Sequence, residues 1–269
     1  MTTSALLSSA WELEPSIVIG CLLLAAGYAA VTRLKPVRQA VLFDAGVLVM
    51  FLALVGPLDF LGDDYLFSAH MAEHLVIMFV VPPLLILGLP RGVMERALAA
   101  PVVAGVERLL GRPTVAWIIG VGTLWLWHAP PLYNAALASE NVHIVEHLTM
   151  MVGGTILFWP VLSPVPDTRL PGGASLVYLF TAAVANMLLG VLLTFAPVGA
   201  YPHYMRSSDG TGVFHLIRDV WGIDAAQDLH LGGLLMWVVG GLVFLVALVG
   251  VFARWYREDE TSPPLEVTR

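Results

Sequence analysis

Two stretches of this sequence carry the residue types and spacing that metal chemistry needs. His70-Met71-Ala72-Glu73-His74-Leu75-Val76-Ile77-Met78 is echoed 73 positions later by His143-Ile144-Val145-Glu146-His147-Leu148-Thr149-Met150-Met151. On a helix, residues i, i+3, i+4 and i+8 share one face, so each copy lays two imidazoles, a carboxylate and a thioether in a stripe. Neutral imidazole is the commonest biological metal ligand, and its second nitrogen needs a partner that fixes the ring. The expected principal ligands are therefore His70, His74, His143 and His147. Glu73 and Glu146 are placed to orient those rings or to ligate directly, and Met78 and Met151 offer soft donors. Imidazoles with thioethers and no thiolate suit copper, whereas imidazoles with carboxylates suit zinc or iron.

The elements that must position these stripes are membrane helices. The chain has 269 residues, is 58% hydrophobic and only 12% charged, about half the charge of an average soluble domain, which is roughly 25%. Its net charge of −7 gives no basic face for nucleic acid. The single cysteine, Cys21, excludes an intrachain disulfide and any paired-thiolate metal site. A spanning helix needs about 20 apolar residues, and runs of that kind lie near 15–34, 40–58, 70–89, 113–129, 143–162, 175–197 and 229–253. The expected fold is all-α, one seven-helix transmembrane domain over 1–257, multi-pass in the lipid bilayer of a bacterial plasma membrane.

Loop charges orient it. Arg33, Lys35 and Arg38, then Arg91, Arg96, Arg108 and Arg112, then Arg169, then Arg254 and Arg257 fall in alternate connections, while Asp59, Asp63, Asp64 and Glu140 fall in the others. The positive-inside rule then places the N-terminus outside and the C-terminus in the cytoplasm. Glu12 and Glu14 precede the first apolar run and the basic cluster follows it, which predicts an inserted helix rather than a cleaved signal peptide. With this orientation all eight histidines are extracytoplasmic or at the outer boundary. His128 closes the fourth span and His230 opens the seventh, where they would complete or gate the site. An acidic outer loop at Asp59, Asp63 and Asp64 would raise the local cation concentration.

Local signals add detail. Residues 91–111 mix charge and apolar residues at helical spacing, which suits a helix on the inner leaflet or a solvated loop. The tail 258–269 reads as disordered. Pro82-Pro83 predicts a kink in the third span. Gly153-Gly154, Gly232-Gly233 and Gly240-Gly241 permit close helix approach, and Asn186 is expected to bond a neighbouring helix.

Several motifs resemble the polytopic CtaG family of bacterial cytochrome c oxidase assembly proteins. They are His70-x-x-x-His74 followed by Pro82-Pro83-Leu84-Leu85-x-x-Gly88-x-Pro90; Trp127-His128-x-Pro130-x-x-Tyr133; His143-x-x-Glu146-His147 with Phe158-Trp159; and Asp228 with Gly232-Gly233-x-x-Met236-Trp237. The resemblance runs from about the second span to the seventh and brings Asp228 into the candidate metal set. One departure is visible: Leu229 follows Asp228 where the family pattern often has glutamine. The resemblance implies a copper-handling, non-enzymatic role in forming haem-copper oxidase. Its expected partners are cytochrome c oxidase subunits and an extracytoplasmic copper chaperone. Two other classes stand beside it. Facing histidines on two helices are also the arrangement of a haem-binding electron carrier. His-x-x-Glu-His matches a zinc protease signature, and paired histidine clusters occur in membrane di-iron oxygenases.

Overall fold

The computed structural model describes residues 2–205 and 211–260, and every regular element among them is helical. The long helices, in chain order, are α1 (Pro15–Thr32), α2 (Val37–Val55), α3 (Phe67–Gly88), α4 (Pro113–Trp127), α5 (Glu140–Leu162), α6 (Gly172–Thr194) and α7 (Ala225–Glu258). Six are long and apolar enough to cross a membrane. The seventh span requires α4, of 15 residues, to be taken with Pro101–Leu110, which meets it at a bend of 72°. By length and composition this is a multi-pass membrane protein.

Several helices begin about a turn earlier than their apolar runs, although α1 and α4 start where expected, at Pro15 and Pro113. α3, α5 and α6 start at Phe67, Glu140 and Gly172 rather than at 70, 143 and 175. Hydropathy registers only the apolar part of a helix, while backbone hydrogen bonding extends through the polar first turn. His70 and His143 therefore lie inside helices instead of at their mouths. At the other end, the segment expected to be disordered from Glu258 continues α7 through Glu260, because no breaker intervenes before Pro263; residues 261–269 lie outside the described residues. Residues 91–111 form two short helices, Arg91–Leu98 and Pro101–Leu110, with no buried residue in either.

One apolar core runs through all seven helices, from Cys21 in α1 to Val251 in α7. α3 is the most buried span and α1 the least. α3 is central: α2 packs on its second half, α7 on its first half, and α5 on its middle and second half, while α4 packs on α5 and α6 on α7. α1 leans on α2, where Tyr28 stacks on Phe43 at 4.1 Å and bonds the Gly88 carbonyl of α3 at 2.8 Å. A second, smaller core joins Leu6 and Ala10 to Tyr65, Leu66, Ala69 and the segment Val213–Ile217. It covers the end of the bundle where α3 begins.

Within α3, Pro82 and Pro83 lack the N–H groups that would bond the Met78 and Phe79 carbonyls. The helix carries a π-turn over Val76–Val80, closed by the Val81 N–H on the Val76 carbonyl, and the span continues to Gly88. The freed Met78 carbonyl is met by Gly154 of α5, where a Cβ would lie only 2.2 Å from that oxygen. Close approach of α5 to α3 thus needs glycine here. α7 has a matching π-turn at Leu235–Val239, and Asn186 of α6 donates to its Met236 carbonyl at 2.8 Å. That is the interhelical bond expected of Asn186.

Candidate metal centre

The close approach of α3 and α5 sets the two His-x-x-Glu-His stripes face to face. His70, His74, His143 and His147 form one ring cluster. Centroids lie 4.3 Å apart for His70 and His74, 4.0 Å for His143 and His147, and 5.3 to 6.0 Å across the helix interface. The glutamates cross over. Glu146 of α5 reaches the α3 imidazoles, 3.4 Å from His74 Nε2 and 3.7 Å from His70 Nε2, and Glu73 of α3 lies 3.8 Å from His147 Nε2 of α5. Each motif's carboxylate therefore serves the other motif's rings, which spacing within one helix does not reveal.

His128 joins from the end of α4, 5.2 Å ring to ring from His74. Its Nδ1 lies 2.6 Å from the Leu124 carbonyl, and Tyr201 bonds the His128 carbonyl at 2.8 Å. The Nδ1–H donates to Leu124, which leaves the Nε2 lone pair free. Three tyrosines close the cluster on another side. Tyr133 lies 5.0 Å from the His70 ring, its hydroxyl is 3.1 Å from that of Tyr204, and Tyr204 donates to the Gly62 carbonyl.

Two aspartates complete the arrangement. Asp59 and Asp63 sit at i and i+4 on the short helix Pro57–Asp64, so both point the same way. Asp63 Oδ1 is 3.5 Å from His143 Nε2. Desolvation, with the neighbouring charges of Asp59, Asp64, Glu12 and Glu146, pushes the Asp63 carboxyl up to about 8. Burial pushes Asp59 up to about 7, with Glu12 and Glu14 adding to the rise. Both carboxyls therefore hold their protons to unusually high pH, and a cation beside them would favour the charged form. The spacing signal for these two was present in the sequence, hidden among residues that also read as an ordinary acidic connection.

Ligand atoms fall into three trios, each with all its atoms within 4.8 Å of one another: His70–His74–His147, Asp63–His70–His143 and Asp59–Glu73–His147. Both ring nitrogens of His70 and His74, both oxygens of Glu73 and Glu146, and the Nε2 atoms of His128, His143 and His147 are buried without a hydrogen bond. A buried polar group left unsatisfied costs about 1–3 kcal/mol. A cation held by these atoms removes that penalty, and three-imidazole or imidazole–carboxylate sets are ordinary donors for copper, zinc or iron.

Other residues singled out in the sequence go elsewhere. Asp228 is fully buried and caps α3 from a neighbouring helix: it accepts from Phe67 N at 2.8 Å, Ser68 N at 3.0 Å and Ser68 Oγ at 2.6 Å. Three residues after Phe67 comes His70, so Asp228 acts on the site by anchoring the helix that carries it. His230 is exposed on α7, where the side chain next to a buried turn faces outward. Met78 and Met151 pack as core residues, Met78 fully buried and Met151 half-buried. His203 lies 3.7 Å from Asp64, and His215 pairs with Asp219 at 2.5 Å, both on the periphery.

Comparison with known proteins gives a family and no structural precedent. The family model described as cytochrome c oxidase caa3 assembly factor (Caa3_CtaG) matches residues 22–258. An uncharacterized protein of Mycobacterium leprae (strain TN) is 24% identical over 272 residues, covering 93% of this chain and 40% of the relative. An uncharacterized protein of Mycobacterium bovis is 24% identical over 283 residues, covering 96% of this chain and 41% of the relative. The chain thus spans about two-fifths of the length of the curated relatives it matches. No solved structure matches it.

Proposed function

Because the chain belongs to the cytochrome c oxidase caa3 assembly factor family, we propose that it binds copper in the α3–α5 histidine cluster and assists its insertion into a haem-copper oxidase. The observation that carries this reading is the crossing of the two His-x-x-Glu-His stripes, which gathers five imidazoles and two glutamates into a buried set of unsatisfied donors. Copper is cargo here, so the site must bind it and also let it go. Imidazole donors without a thiolate cage suit that exchange. The charge rule places the cluster on the extracytoplasmic side, where an oxidase subunit or a copper chaperone can reach it. The role is that of an assembly factor, not an enzyme. The short helices over 91–111 lie on the inner leaflet in this orientation, with Arg91, Arg96, Arg108 and Arg112 at the headgroups.

Facing rings 5.3 to 6.0 Å apart favour a bare ion over a haem macrocycle. The carboxylate-bearing trios also suit zinc or iron, and one measurement separates the metals. Elemental analysis of detergent-purified protein is expected to find copper, with the content falling in His74→Ala and His147→Ala. Stoichiometric zinc or iron without copper, or copper content unchanged in both variants, would refute the proposal.

A further inference from the structure

The three trios are not separate sites. His70 belongs both to His70–His74–His147 and to Asp63–His70–His143. The two differ in depth and in chemistry. The Asp63 side chain is 40% exposed, whereas His70 and His74 are at 0%; His143 and His147 lie between, at 13% and 11%. The outer trio ends in a partly exposed carboxylate whose Oδ1 is turned inward without a hydrogen bond; the inner trio is made of imidazoles alone. The Tyr133–Tyr204 pair covers His70 from another direction, and Asp63 is the most exposed residue of the two trios.

We propose that Asp63, His70 and His143 form a loading site, that His70, His74 and His147 form the holding site, and that His70 is the pivot between them. An incoming ion sheds water to Asp63 and His143 while taking His70 as its third ligand. It then exchanges Asp63 and His143 for His74 and His147 and keeps His70 throughout. Two donors leave as two arrive, so the ion retains three protein ligands and changes neither charge nor oxidation state. A carboxylate suits the outer position because it attracts a hydrated cation and releases a copper ion more readily than a third imidazole does. Release to an acceptor follows the same route in reverse. This inference rests on the copper reading above and assigns separate tasks to the parts of that site.

The test is kinetic. Full-length protein in detergent micelles is loaded anaerobically with copper(I), and removal by excess bicinchoninate is followed through the absorbance of the copper–chelator complex. Equilibrium affinity is measured by titration with the same chelator. Asp63→Asn and His143→Ala are expected to slow copper exchange about tenfold while shifting affinity only about twofold, whereas His74→Ala weakens affinity about tenfold or more. Asp63 is partly exposed, so Asp63→Asn leaves the fold intact even if His143→Ala does not. Parent-like exchange in Asp63→Asn overturns the relay alone, as does an affinity loss equal to that of His74→Ala, which would mean a single undivided site. A parent protein that binds no copper(I) overturns the copper reading and the relay with it.

Discussion

Asp228 offers the sharpest separation of a ligand from a scaffold. Its carboxylate accepts three hydrogen bonds from the first turn of α3, two from backbone N–H groups and one from the Ser68 hydroxyl, at 2.6 to 3.0 Å. Replacing it by alanine leaves three donors without their acceptor, Phe67 N in a buried position and the two of Ser68 in a partly buried one. Loss of a helix cap costs about 0.5–2 kcal/mol, and a buried donor left without a partner costs about 1–3 kcal/mol. Taken together, Asp228→Ala is expected to lose about 2–4 kcal/mol, a fall in melting temperature of roughly 4–16 °C for a chain of this size. Asp228→Asn keeps one acceptor oxygen and should lose about half of that. The assay is thermal unfolding in detergent followed by tryptophan fluorescence, with copper content measured on the same samples. If Asp228 anchors α3, Asp228→Asn binds copper like the parent below its melting temperature. If it were a ligand, Asp228→Asn would lose copper while melting like the parent. That outcome, or an Asp228→Ala protein within about 1 °C of the parent, refutes the capping argument.

Other perturbations follow from the same geometry. Glu146→Gln replaces the carboxyl group 3.4 Å from His74 and 3.7 Å from His70 with an amide, and copper affinity is expected to fall about 10–100-fold by chelator competition. Gly154→Ala would set a Cβ 2.2 Å from the Met78 carbonyl oxygen, at a cost of about 1–3 kcal/mol read as a lower melting temperature; parent-like melting would count against the close α3–α5 contact. His230→Ala should leave copper content unchanged in elemental analysis, because the side chain is exposed on α7.

The membrane class, the helices and the family were legible because each depends on runs of residue type along the chain. Twenty apolar residues make a span whatever they pack against, and the repeated His-x-x-Glu-His pattern fixes a stripe on each of two helices. Pro82-Pro83 announced an interruption, which takes the form of a π-turn, and the approach of Gly154 to the freed Met78 carbonyl belongs to the packing of α5 on α3. Asp59 and Asp63 were visible as residues, yet their alignment with His147 and His143 depends on how a short helix folds back over the start of α3. Asp228 and His230, two residues apart and alike in the sequence reading, part company because one faces α3 and the other faces outward.

What the order of residues determined by itself was which atoms each helix presents on its faces, since helical periodicity is a property of the backbone alone. What only tertiary structure decided was which faces meet: that Glu146 serves His70 and His74 while Glu73 serves His147, and that Asp228 caps a helix 160 residues away. Such pairings depend on the depth and register at which α3 and α5 pack, set by a missing N–H at Pro82 and a missing side chain at Gly154, and no local pattern encodes the distance between two helices.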